Sequence, residues 1–427
     1  MHRPPVLSRR PSAATARTLA AVFAAAAAAT APAPAAGGES AAAPRPAATD
    51  AADYPLASSG PVPAPVVPPT AEELRGSIAR GVELLLAIQR PQGAWGGPQK
   101  TKGLNIYAPA PGAHLAFRTG VTSLAVMALL EARPHVPAAQ QPAVDAAVDR
   151  GQQWLLGESA ALRRATGDAL YNVWGHSYAL HALTPLHARA AGQPELQARL
   201  AALAEYHVDR LRRYNFLNGG WGYYNFEALT QTPTGSPNSF TTATCLIALK
   251  EAEKLGVHYP PALVEKALRS LVRQRLPDHS FAYGEYLRLE PRMDINRPAG
   301  SLGRTQVCNL ALRLYDEGGV NDAVIATWLN RLIARNGWLS IGRKRPIPHE
   351  SHFGVAGYFF YYGHWYAALC IDVLPAAERA PFQDQLAKIL LPLQEQDGSW
   401  WDYPLYDYHQ TWGTAMAVSS LVHCLHD

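Results

Sequence analysis

Cysteine is scarce in this sequence, with four residues in a chain of 427. Cys245, Cys308, Cys370 and Cys424 each lie in an apolar helical run, at spacings that follow a repeat rather than a metal-site or disulfide pattern. We therefore predict that they are small buried core residues; the spacing does not indicate a metal site or a disulfide scaffold, although export would permit disulfides.

Strong charge and long apolar runs are also missing. The formal net charge is +4 and the basic residues form no stripe, which argues against a nucleic-acid partner. Beyond the N-terminal region, no stretch reaches the roughly 18 apolar residues that a membrane span requires. We predict no transmembrane segment after that region.

Acidic residues are missing before Glu39, while four arginines precede an alanine-rich apolar run from Thr18 to Ala29. This layout is typical of an export signal, which we place at residues 1–36. Residues 37–70 are rich in alanine and proline and are interpreted as a linker. The predicted location is secreted or periplasmic; an organellar transit peptide and a disordered tail are the alternatives.

Helical periodicity fills the rest of the chain, residues 71–427. Amphipathic runs begin near Glu72, Pro142, Leu196, Pro261, Val320 and Pro381, where the prolines would occupy first helical turns. Each run precedes a more apolar helix, at residues 119–132, 175–188, 239–255, 303–316, 363–374 and 411–425. Apolar helices must be enclosed, so we predict one all-α domain, a closed (α/α)6 toroid of six helical hairpins.

A Gln–Gly–Trp motif near each end of this region supports closure of the ring. Gln89, Gly93 and Trp95 share their spacing with Gln394, Gly398 and Trp400. These segments resemble the QW repeats of squalene and oxidosqualene cyclases, and the protein prenyltransferase β-subunits share the toroid that such repeats imply. The resemblance covers roughly residues 72–427 and implies the fold more strongly than an activity.

The chain departs from both relatives in its chemistry. The Asp-x-Asp-Asp acid of the class II cyclases is missing, and Met293-Asp294-Ile295-Asn296 is the nearest segment to it. The Asp-His segment at Asp407 and His409 resembles part of the prenyltransferase zinc site, but its Asp-x-Cys partner is missing. We predict neither a metal nor another cofactor.

Polar residues at the starts of the inner helices form the first candidate site. In a toroid these helix ends meet at one mouth, so we predict that a catalytic set gathers there. The predicted set is His176, His364, His409, Asp402 and Asp407, with Arg304 as a ligand-binding neighbour. The alternative is that these residues only satisfy helix ends and loops.

Aromatic residues near the same helix starts form the second candidate site. We predict that Trp174, Tyr224, Tyr362, Trp365, Trp401 and Tyr408 line a central pocket for a hydrophobic ligand, such as an isoprenoid. Ordinary toroid packing is the alternative. The predicted function is an exported, terpenoid-cyclase/prenyltransferase-like toroid that binds or acts on such a ligand. A non-catalytic scaffold that holds an envelope protein, and a carbohydrate-processing protein, remain open.

Overall fold

The computed structural model describes residues 54–101, 111–162, 172–222, 236–349 and 354–426. The chain divides into two compact regions, Met1–Ala47 and Ala48–Asp427, and all described residues belong to the second region. The predicted export signal and the first part of the predicted linker therefore lie outside the described residues.

Helices account for the regular structure of the described residues, which contain two isolated bridges and no β-strand. In chain order they are α1 (Ala71–Ile88), α2 (Pro111–Ala132), α3 (Gln141–Glu158), α4 (Asn172–Arg189), α5 (Pro194–Tyr214), α6 (Ser239–Glu253), α7 (Pro261–Arg273), α8 (Pro298–Leu314), α9 (Asp322–Ala334), the short α10 (Asn336–Ser340), α11 (Phe359–Asp372), α12 (Ala376–Leu390) and α13 (His409–His423).

The helix contacts close into a ring. The inner helices α2, α4, α6, α8, α11 and α13 each pack against the next in this order, and α13 packs against α2. The outer helices α1, α3, α5, α7, α9 and α12 pack on them from outside. The described residues thus form an all-α ring of six helical pairs, and the predicted (α/α)6 toroid is confirmed.

The distribution of apolar side chains around each helix explains whether it lies in the inner or the outer layer. α7 is strongly amphipathic, with Leu263, Leu268 and Leu271 buried, whereas nearly all of α8 and α11 is buried. Pro142 and Pro261 lie in first turns as predicted. The prediction for Pro381 is wrong, because α12 already begins at Ala376 and encloses this proline.

We call each outer helix with the inner helix that follows it a unit, and number the units one to six along the chain. The two Gln–Gly–Trp segments join neighbouring units in the same way. Trp95 Nε1 donates to Leu85 O at 2.7 Å, and Trp400 Nε1 donates to Leu390 O at 3.0 Å. Gln89 Nε2 donates to Ala147 O of the second unit at 2.9 Å. Gln394 Nε2 donates to Ser77 O of the first unit at 3.0 Å, so the last unit is bonded to the first.

Residues 54–70, the last part of the predicted linker, lie against the outer helices. Arg331 Nη2 of α9 donates to Leu56 O at 2.6 Å and to Ser59 O at 2.7 Å. Gln385 Nε2 of α12 donates to Ala64 O at 2.6 Å. This segment therefore crosses the outside of the fifth and sixth units before α1 begins.

The predictions about cysteines and about long apolar runs both concern helices of the inner layer. All four cysteines are buried and free of disulfide bonds. One helical stretch, Ala113–His135, is long and apolar enough by composition to cross a membrane. It contains most of α2, which packs between α4 and α13 inside the ring.

Candidate functional site

Aromatic side chains from four inner helices meet at one end of the ring. The Trp174 ring centroid lies 5.7 Å from that of Tyr362, 6.1 Å from Phe240 and 6.3 Å from Trp412. These residues belong to the first turns of α4, α11, α6 and α13. The N-terminal ends of these inner helices therefore converge here, and we call this end the N-terminal mouth.

A second aromatic layer lies one helical turn deeper. Tyr178 and Trp365 have ring centroids 6.1 Å apart, across the ring from each other, and Tyr366 lies 4.8 Å from Tyr362. Thr244 Oγ1 of α6 lies 3.0 Å from the Tyr362 hydroxyl. We call the whole set the aromatic cluster; it comprises Trp174, Tyr178, Phe240, Tyr362, Trp365, Tyr366 and Trp412. Burial raises the pKa values of the Tyr178 and Tyr362 phenols well above their ordinary range, so both are neutral.

The cluster is closed in its deeper layer and partly open at the mouth. Tyr362 and Trp365 are buried, whereas Trp174 and Trp412 are only partly buried. The Trp412 and Tyr362 rings are nearly parallel, with centroids 6.5 Å apart. Trp412 Nε1 has no hydrogen-bond partner among the described residues. The mouth therefore presents aromatic surface, while the unpaired Trp412 Nε1 itself is buried.

Polar side chains occupy the opposite end of the ring. Trp365 Nε1 donates to Ser419 Oγ at 3.0 Å, and Ser419 Oγ donates to the Glu131 carboxylate. His423 Nδ1 lies 2.8 Å from Asp372 Oδ2, and its Nε2 lies 3.9 Å from Glu131 Oε2. We call Glu131, Asp372, Ser419 and His423 the C-terminal cluster, because its members come from the last turns of α2, α11 and α13.

The C-terminal cluster is absent from the residues predicted from the sequence, because those residues lie at the starts of the inner helices. A signal was available: Glu131 and Asp372 are acidic residues at the ends of helices that otherwise carry few charges. His181 was missed as well. Its ring centroid lies 6.1 Å from that of Trp365, and burial lowers its pKa to about 4, so it is neutral.

Among the predicted catalytic residues, His176 faces the outer layer. Its Nδ1 lies 2.8 Å from His207 Nδ1 on α5, and His207 Nε2 lies 3.1 Å from Ser159 Oγ. Burial, followed by the neighbouring His207, lowers the pKa of His176 well below its ordinary value. The pair is therefore neutral and lies between α4 and α5.

His364 and Asp402 also bond to groups outside the aromatic cluster. His364 Nδ1 lies 2.6 Å from Phe360 O, and its Nε2 lies 3.0 Å from Asn336 Oδ1; burial lowers its pKa to about 4. Asp402 Oδ2 accepts from the backbone N–H of Tyr361 at 3.1 Å, which satisfies the start of α11. Burial raises the pKa of Asp402 to about 7.

His409 and Asp407 lie on the rim, near the end of α1. His409 Nδ1 lies 2.7 Å from Tyr406 O, and Asp407 forms an ion pair with Arg90. Asp402 is thus engaged by the start of α11 and Asp407 by Arg90, both outside the aromatic cluster. This arrangement does not favour the carbohydrate-processing alternative, which requires two carboxyl groups facing one substrate.

The remaining predicted ligand-binding residues are divided between the centre and the rim. Trp174, Tyr362 and Trp365 belong to the aromatic cluster. Trp401 packs edge-on against His409 at 5.4 Å, and the Tyr408 hydroxyl lies 3.2 Å from His114 Nδ1. Tyr224 lies outside the described residues.

Arg304 is fully buried and bonded to backbone. Its Nε donates to Phe281 O at 3.0 Å, Nη1 to Gly300 O at 2.6 Å and Nη2 to Ile295 O at 2.6 Å. Burial lowers its pKa to about 10, which still leaves it charged at neutral pH. These bonds fix the loop that leads into α8.

The structure thus brings three predicted aromatic residues together and does not join the predicted histidines to one another. No group of three or more histidine, cysteine or acidic side chains is arranged to hold a metal ion within the described ranges. A catalytic role for His176, His364, His409, Asp402 and Asp407 stays a prediction.

The ring of helical pairs and the aromatic cluster at its centre together define the class of this protein, a helical toroid with a buried aromatic cluster. Among solved structures, the chain is similar to an apo type II terpene cyclase, MstE from Scytonema, at 17% identity and a TM-score of 0.44, over 83% of this chain and 98% of that chain. It is also similar to a wild-type glycosidase, at 11% identity and a TM-score of 0.45, over 83% of this chain and 97% of that chain. At these identities and scores we infer neither activity nor ligand from the likeness.

Sequence comparisons add no family. No protein-family model and no curated protein matches the chain.

Proposed function

We propose that this toroid binds a hydrophobic ligand, such as an isoprenoid, through the aromatic cluster at its N-terminal mouth. The observation that carries this proposal is the pair of partly buried indoles, Trp174 and Trp412, above a closed aromatic layer. Aromatic surface that remains accessible at a concave end of a fold is typical of small-molecule sites.

The polar groups at this mouth suit a ligand with one polar end. The buried, unpaired Trp412 Nε1 would donate to a hydroxyl or carbonyl oxygen of a ligand that enters deeply enough to reach it. Arg118 of α2 lies close enough to His114 and Tyr408 to act on their ionisation, which places a positive charge on the same side. An isoprenoid alcohol or its anionic ester combines these features.

The test measures binding of a fluorescent farnesol analogue by anisotropy, to the full chain and to three variants. We expect Trp174→Ala and Trp412→Ala each to weaken binding roughly tenfold, because each removes an aromatic contact of about 1.5 kcal/mol. Trp338→Ala is the matched control, since Trp338 lies on α10 and is 39% exposed. Equal affinity in all four proteins would overturn the proposal.

Export is the other part of the proposed function. It is supported by the arginine-rich, acid-free N-terminus before the alanine-rich run. Expression of the full chain in a host with an envelope, followed by N-terminal sequencing of the mature protein, tests it. Cleavage near residue 36 and recovery outside the cytoplasm are expected; an intact N-terminus in the cytoplasm would contradict export.

A further inference from the structure

The C-terminal cluster has an unusual electrostatic setting. Glu131 and Asp372 lie in the last turns of α2 and α11, where the helix macrodipole disfavours negative charge. Carboxylates at such positions need a nearby cation. His423, at the end of α13, is the group that lies between them.

The cluster also lies at the junction where the ring closes. Glu131 belongs to the first unit, Asp372 to the fifth, and Ser419 and His423 to the sixth. The sixth and first units are far apart in sequence, and helix packing with these side-chain contacts holds α13 against α2. His423 contributes most to that junction while its ring carries a proton, because a charged ring attracts both carboxylates and both of its nitrogens can donate.

We propose that the C-terminal cluster is a proton-sensitive closure, which holds α13 against α2 and α11 and sets the position of Trp365 beneath the ligand site. The link to Trp365 is Ser419, whose hydroxyl accepts from Trp365 Nε1 and donates to Glu131. The role in ring closure stands without the proposed function, whereas the effect on the ligand site rests on it.

The direction of the pH effect follows from the neighbours of His423. Of the elements packed against α13, α11 supplies Asp372 and α2 supplies Glu131, while Asp384 of α12 pairs with His426 instead. Burial alone would lower the pKa of His423, but the bond to Asp372 and the charge of Glu131 outweigh it, and the pKa is raised above 6.5. The stabilisation is complete below the ordinary histidine pKa of 6.5 and is lost as pH rises through the raised value.

The first test follows thermal unfolding of the full chain between about pH 6.5 and 9, a window set by the ordinary histidine range. We expect the melting temperature of the wild type to fall by about 1–3 °C more than that of His423→Gln. His426→Gln is the matched control and should follow the wild type, because His426 pairs with Asp384 at 46% exposure. Parallel curves for the wild type and His423→Gln would overturn the proposal.

A second variant protects this test against a folding failure of His423→Gln. Asp372→Asn keeps the imidazole but removes the carboxylate 2.8 Å from its Nδ1. We expect the pH-dependent fall to shrink in this variant as well. An unchanged fall would contradict the proposed ion pair.

The link to the aromatic cluster has its own readout, tryptophan emission of the unliganded protein over the same pH range. We expect a shift in the wild type that is lost in Trp365→Phe and reduced in Ser419→Ala, which cuts the link but keeps the His423–Asp372 pair. Identical pH profiles in all three would overturn the link. A farnesol analogue that binds at no pH would count against the proposed function alone, since unfolding and emission need no ligand.

Discussion

The two ends of the ring use polar side chains in opposite ways. At the N-terminal mouth, His364, Asp402 and Arg304 bond mainly to backbone groups, and aromatic rings face the centre. At the C-terminal end, Glu131 and Asp372 approach His423, and their cluster reaches the centre through Ser419. Polar residues at the two ends are therefore not equivalent: those at the N-terminal mouth bond to loops or, like His176, to the outer layer, whereas those at the C-terminal end connect inner helices to one another.

The largest expected effect comes from breaking the loop geometry at the N-terminal end. Gly398 has φ +85, and a Cβ there would lie 2.6 Å from Arg80 O in the first unit. We expect Gly398→Ala to lower the free energy of unfolding by about 3 kcal/mol or more, because strain adds to a backbone clash. Denaturant unfolding measures it.

The matched control separates the clash from the backbone conformation. Gly192 has φ +84, but a Cβ there meets nothing within 4 Å. Gly192→Ala should therefore cost only about 1 kcal/mol, the price of a left-handed alanine. Equal losses in the two variants would show that the contact between the last and first units does not hold the ring.

The next effect tests whether Arg304 serves the loop before α8. Arg304→Met leaves the carbonyls of Phe281, Gly300 and Ile295 without this donor in a buried site. We expect a loss of about 3 kcal/mol in unfolding free energy. Arg213→Met, at an exposed ion pair with Asp209, should change it by under about 1 kcal/mol. If Arg304→Met were as mild as this control, the loop role would be wrong.

The smallest expected effect concerns how stability depends on pH at the two ends of the ring, where His364 and His423 should act with opposite signs. Burial lowers the pKa of His364 from 6.5 to about 4, so its neutral form stabilises the fold above pH 6.5 and that stability is lost as pH falls toward 4. Between pH 6.5 and pH 4, we expect the free energy of unfolding of His364→Gln to fall by about 2 kcal/mol less than that of the wild type. His423, with its raised pKa, should show the opposite sign above pH 6.5.

The test for His364 is unfolding in urea at a series of pH values, with His258→Gln as the control at an exposed position. The control should follow the wild type throughout. A His364 variant with the wild-type acid dependence would mean that this imidazole is not held in its neutral form.

The fold could be predicted from the sequence because its signals repeat. Six amphipathic runs each precede an apolar helix, and the first and last units share one loop motif whose glutamines bond to the next unit. The start of the last outer helix could not be predicted in the same way, since Pro381 is compatible with a first turn but lies inside α12.

The site could be predicted only in part, because placing a residue near a helix start does not fix which side of the helix it faces. Trp174 and His176 are two positions apart, as are Tyr362 and His364, so the members of each pair point in widely different directions. With the aromatic residue toward the centre, each histidine faces the outer layer. The C-terminal cluster depends on contacts between units far apart in sequence, which no local pattern specifies.

The most direct test of the account is photo-crosslinking of the full chain with a diazirine-bearing farnesol analogue, followed by peptide mapping. We predict adducts on the peptides that carry Trp174 and Trp412, and loss of those adducts with excess farnesol. Adducts confined to the outer helices, or insensitive to competition, would contradict a ligand site at the centre of the ring.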